Sequence, residues 1–167
     1  EGQVCNLSAV SMCAHNGTHV DAPYHFLDDG KTIDQIGLEV FVGPCYVACA
    51  EGEISGEDAR RILVEAQDKD PEASKRILIR GRATVTEAAA LVFADKGIVL
   101  LGNESQTVGP EEAPARVHNI LLGAGVVLLE GIQLQSVEPG AYLLNAAPLN
   151  LGGADGAPCR ALLFDNR

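Results

Sequence analysis

The sequence has no apolar run long enough to cross a bilayer, so no membrane helix is expected. It is poor in basic residues: 12 Lys and Arg stand against 23 Asp and Glu, for a formal net charge of −11. Such a surface repels phosphate backbones, and nucleic acid is excluded as an expected partner. The acidity reads as ordinary solubility. No C-x-x-C pair occurs among the five cysteines, Cys5, Cys13, Cys45, Cys49 and Cys159. An odd count in 167 residues argues against a disulfide framework and for a reducing cytoplasm. Cys45 and Cys49 fall on one face of a strand, which suits buried, inert thiols. No G-x-S-x-G is present, so a serine hydrolase lacks its nucleophile elbow. Cys13 is the nearest thiol to the histidines, and on an apolar strand it reads as structural. No basic stretch leads an apolar one at Glu1-Gly2-Gln3, so no secretory leader is expected. Internal repeats and low-complexity segments are absent.

A hydrophobic content of 47% fits one globular domain over residues 1–167 with a real core. Residues 3–13 are apolar and small and read as a strand. Asp28 to Lys31 is a turn signal. Residues 40–49 read as a strand, with Gly43-Pro44 marking a bulge or an edge. Ser55 caps a helix whose buried stripe is Ala59, Ile62, Leu63 and Ala66. Residues 76–80 and 98–101 are buried strands. Between them Thr84 and Glu87 form a capping box for a helix that stops near Gly97. Pro110 opens the next helix, with Val117, Ile120, Leu121 and Ala124 inward. Strands follow at 126–129, 142–144 and 160–164, and a glycine-rich loop spans 149–158. Strands alternating with helices predict an α/β layer.

Three of the four histidines lie in the stretch His15-Asn-Gly-Thr-His19-Val-Asp21-Ala-Pro-Tyr-His25. Imidazoles and a carboxylate this close suit zinc, manganese or iron. Gly17 permits a tight turn between His15 and His19. Pro23 argues against a continuing helix, so this is a structured loop and not a helical H-E-x-x-H site.

The pattern H-x-G-T-H-x-D-x-P-x-H resembles the signature of the cyclase family of metal-dependent hydrolases, which includes bacterial kynurenine formamidase and isatin hydrolase. The similarity continues through Phe26, Gly30, Phe41 to Pro44, His118, Glu130-Gly131, Gly140 to Tyr142, Ala147 to Leu149 and Ala157 to Arg160. It covers nearly the whole chain. The resemblance implies a swivelling β/β/α domain, a mixed β-sheet with flanking helices, preceded in most members by a further N-terminal segment. It also implies homo-oligomers, dimers or tetramers. It brings in His118 and Glu130, which alone attract no notice, to join His15, His19 and Asp21 around one or two divalent ions, zinc or manganese.

Two cations held close need shared anionic oxygens, a part Asp21 and Glu130 suit. With one ion, Glu130 instead supports the ligands from outside or steers the attacking water. Metal-activated water would then hydrolyse a non-peptide C–N bond, in an N-formyl aryl amide or a cyclic amide. An imidazole titrates near neutrality, and His25 is the expected general base and acid. Where formamidase-like members tend to carry an Asp-Thr-Pro-Ser run, this chain has Asn103-Glu104-Ser105-Gln106-Thr107. Glu104 and Gln106 are the candidate substrate contacts. The alternatives are a catalytically silent metal- or small-molecule-binding protein and a hydrolase of cyclic esters.

Overall fold

Ile77, Leu78 and Ile79 are all buried, which a strand covered on both faces requires. This computed structural model describes residues 4–165. Its elements run β1 (His19–Asp21), α1 (Leu38–Phe41), β2 (Val42–Cys49), β3 (Gly52–Ile54), α2 (Gly56–Lys69), β4 (Arg76–Arg80) and β5 (Ala83–Val85). They continue α3 (Glu87–Asp95), β6 (Leu100–Asn103), α4 (Ala115–Gly123), β7 (Val127–Glu130), β8 (Gly140–Asn145), β9 (Gly156–Pro158) and β10 (Leu162–Phe164). Eight strands form one mixed sheet in the order β10-β8-β2-β4-β6-β7-β1-β9, and β3 pairs with β5 apart from it. The centre, β2-β4-β6-β7, is parallel. The outer strands β8, β10, β1 and β9 are antiparallel to their neighbours.

The sheet has an apolar core on each face. On one, Ile77, Ile79, Leu101 and Leu128 meet Ile62, Phe93 and Leu121 of α2, α3 and α4. On the other, Val47, Leu78, Leu100 and Leu129 pack with Val20, Phe41 and Ile132. This is the expected mixed sheet with flanking helices. Among the described residues no helix is long and apolar enough to cross a membrane.

Several local expectations are corrected. Gln3 lies outside the described residues, and 4–13 form no strand: no described strand runs beside them, and Val4, Leu7 and Val10 are exposed. Gly43-Pro44 lies in an interior strand but at a local edge of it, as expected. There β2 pairs with β8 only, and the guanidinium of Arg76 occupies the other side, donating to the carbonyl of Pro44. Cys45 is buried, its thiol pushed by burial up to about 12, but Cys49 at the strand's end is exposed. Thr84 is not a helix cap, because it pairs with Glu53 in the small sheet. Thr86 caps α3 instead, its hydroxyl accepting from Ala89 N. The turn after Pro110 does not propagate, and α4 starts after Pro114. The predicted helix at Ser55 forms, with reciprocal Ser55–Asp58 bonds.

Candidate metal centre

Alternation along β1 turns Val20 into the core and leaves His19 and Asp21 together on the other face. On one side β1 pairs with β7, with His19 opposite Glu130. On its other side Asp21 lies opposite Gly156 of β9. His118 comes from α4, which packs over β7. The two turns that enter this region interlock at glycines. Thr18 Oγ1 donates to the Gly131 carbonyl at 2.7 Å, and a Cβ on Gly131 would stand 2.6 Å from the Gly17 oxygen. Gly17 and Gly131 both have positive φ, 69° and 67°.

His19, Asp21, His118 and Glu130 are buried polar groups that converge. His19 Nε2 lies 3.2 Å from Asp21 Oδ1 and 3.5 Å from Glu130 Oε2. His118 Nε2 lies 3.5 Å from Asp21 Oδ2 and 3.3 Å from Glu130 Oε1. Each ring's Nδ1 is 2.9 Å from a carbonyl, that of Gly17 for His19 and of Pro114 for His118. A carbonyl only accepts, so each Nδ1 carries the proton and each neutral ring turns a bare Nε2 lone pair toward carboxylate oxygens. Lone pair against carboxylate is repulsive unless a cation stands between. The donor set therefore fits a divalent ion. Glu130 is held in place by the amide of Val108, 2.9 Å from Oε1.

Without an ion, protons serve. Burial alone would lower His118, but its bonds to Asp21 and Glu130 outweigh that and raise it to about 9. His15 is raised to about 9, chiefly by Asp21, with burial opposing and Asp155 adding. For His19 the cost of burial is likewise outweighed, by Asp21 and the Gly17 carbonyl, and its pKa is raised. Burial pushes Asp21 up, yet bonds from His118, His15 and His19 hold it well below the carboxylate range.

His15 stands on the open side of this cluster. Its Nδ1 is 2.7 Å from Asp21 Oδ1 and its Nε2 2.8 Å from Asp155 Oδ2. The same Asp155 oxygen is 2.9 Å from Nδ1 of His25. The His15 and His25 rings stack at 3.9 Å, and Phe26 lies 4.7 Å from both His25 and His118. Three sets of ligand atoms lie within 4.8 Å of one another: His15, His19 and Asp21; Asp21, His118 and Glu130; and His15, His25 and Asp155. Six predicted residues thus come together: His15, His19, Asp21, His25, His118 and Glu130.

Asp155 is the residue that sequence reading missed. It sits in the glycine-rich loop expected at 149–158, and its one available signal is a carboxylate among glycines just before β9. Glu104, a candidate substrate contact, is already bonded within the fold. Its oxygens accept from the amides of Gly81 at 2.6 Å and Leu134 at 2.8 Å, so the carboxylate brackets two loops. Gln106 is exposed, and a Cβ on Gly131 would stand 2.4 Å from its Nε2, so the amide lies at the interlocked turns.

This arrangement has relatives. The chain is 34% identical to a kynurenine formamidase of Salinibacter ruber over 96% of its own length and 80% of that protein's. A solved structure described as a potential metal-dependent hydrolase with cyclase activity superposes with a TM-score of 0.82 at 33% identity, covering 94% of this chain and 82% of that one. Isatin hydrolase A of Labrenzia aggregata shares the fold, with a TM-score of 0.75 at 23% identity over 92% of this chain and 74% of that one. The cyclase family model matches residues 3–110, the span that holds His15 to His25. With that match, and with the imidazoles and carboxylates gathered between β1, β7 and α4, the chain belongs to the cyclase family of metal-dependent hydrolases.

Proposed function

We propose that this chain hydrolyses a non-peptide C–N bond, that of an N-formyl aryl amide or a cyclic amide, at a centre built by His15, His19, Asp21, His118 and Glu130. The observation that carries the reading is the pair of Nε2 atoms, of His19 and His118, each facing two buried carboxylates. The kynurenine formamidase relatives support the substrate class. A divalent cation, when bound, acidifies water and polarises a carbonyl oxygen.

The residues divide the remaining work. Asp21 turns Oδ1 toward His15 and His19 and Oδ2 toward His118, so with these rings and Glu130 it could help to hold two ions. Three imidazoles with two carboxylates favour zinc or manganese. His25 takes a proton from the attacking water and returns it to the nitrogen as the C–N bond breaks, releasing an acid and an amine. Gln106, exposed beside the interlocked turns, meets the substrate. Residues 1–167 act as one hydrolase domain, in homo-oligomers, in the cytoplasm.

The test is elemental analysis of protein purified without chelator, beside hydrolysis of N-formylaniline and a cyclic amide. About two equivalents of zinc or manganese, lost in Asp21→Ala together with activity, are expected. About one equivalent would leave a single-ion site. A folded protein that takes up neither metal would sink the reading.

A further inference from the structure

Asp155 has no part in the reading above, yet one of its oxygens, Oδ2, is within hydrogen-bond distance of two rings. A carboxylate only accepts, so both facing nitrogens carry protons: Nε2 of His15 and Nδ1 of His25. The consequences for the two rings differ. His15 also faces Asp21 Oδ1 with its Nδ1, so without an ion both its nitrogens carry protons; with an ion held by His15, His19 and Asp21, the Nε2 proton on the Asp155 side would be the one that remains. With its proton on Nδ1, neutral His25 keeps a bare Nε2, which has no protein partner among the described residues. The backbone fixes the carboxylate as firmly as the rings. The Asp155 carbonyl accepts from Ala22 N at 2.9 Å, and the next residue, Gly156, pairs with Asp21.

We infer that Asp155 is the positioning residue of this site: one carboxylate oxygen sets the tautomer of the proton-transfer histidine, His25, and of the ligand His15. A histidine that must accept a proton at Nε2 works only if its proton sits on Nδ1, and the orienting carboxylate holds it there. The stacking of the two rings at 3.9 Å follows from sharing that oxygen. The inference rests on the proton-transfer role of His25. Asp155 touches neither substrate nor reacting atoms and acts through the two rings.

The test uses zinc-reconstituted protein with 15N-labelled histidine. Long-range proton–nitrogen spectra assign the tautomers of the chain's four histidines. Wild type is expected to show His25 protonated at Nδ1 and His15 at Nε2. In Asp155→Ala, and in the same-sized Asp155→Asn, His25 is expected to shift toward the Nε2–H tautomer. The Asp155 side chain is 41% exposed, so these variants leave no hole in the core. At saturating zinc, kcat on N-formylaniline should fall about 10- to 100-fold with KM little changed, and zinc retention against a chelator should weaken. Placed in His25→Ala, the Asp155 substitution should cost no further kcat. Unchanged tautomers in Asp155→Ala, or losses that multiply in the double variant, overturn the inference while leaving the role of His25 intact. Wild-type kcat in His25→Ala removes the role of His25 itself.

Discussion

Asp21 is contacted by three imidazoles, at 2.7 Å from His15, 3.2 Å from His19 and 3.5 Å from His118. Protons and metal ions compete for the same sites on these rings, and the sign of that competition is fixed. His15 and His118 are raised from 6.5 to about 9 in the metal-free fold. A raised pKa adds stability that is full below the unfolded value and is lost as pH rises through the folded one. Chelated protein should therefore show a Tm that falls from about pH 6.5 to about pH 9. Zinc-loaded protein, whose ligands have already lost those protons, should lack that fall. Differential scanning at several pH values checks both. Gly156 supplies a second prediction. A Cβ there would stand 2.7 Å from Cε1 of His15 and 2.6 Å from the Val20 oxygen. Gly156→Ala should displace His15 and lower kcat/KM by up to about a hundredfold. His15, His19 and Asp21 were legible as a site because one turn and one short strand carry them. His118 and Glu130 became legible only through family resemblance. Asp155 was not legible, since its partners lie 130 and 140 positions away and no local pattern announces them.

Elements were read best where burial decides. The strand at 76–80 and the amphipathic helix after Ser55 form as expected, with Ala59, Ile62 and Ala66 buried. Elements were misread where a short capping pattern met a tertiary contact. Thr84 and Glu87 have capping-box spacing, but pairing of β5 with β3 takes Thr84 into a strand and leaves the cap to Thr86. The Thr86 hydroxyl also donates to the Ile54 carbonyl at 2.7 Å, tying α3 to β3. Thr86→Ala should cost about 1–2 kcal/mol in urea unfolding, whereas Thr84→Ala should cost less. Phe93, fully buried under α3, anchors the same helix. Phe93→Ala should cost about 3–5 kcal/mol, with metal uptake retained by the folded fraction.

For the whole molecule, the sheet order matters more than any one contact. The parallel centre is continuous with the middle of the chain, but β1 and β9, which complete one edge, come from near its two ends. Strands alternating with helices predict an α/β layer. That pattern could not foresee that β1 would insert between β7 and β9, because a strand of three residues carries too little pattern to choose its neighbours. That insertion governs when the protein can become active. A ribosome has delivered His15, His19 and Asp21 early, but β7, β9 and Asp155 emerge late, and the nascent chain must keep its first ligands waiting. Contacts of such sequence separation close slowly, because the intervening loop loses its entropy before any bond repays it. A chain stalled before residue 156 would carry all five proposed ligands and still lack β9, the strand that flanks β1 on its far side.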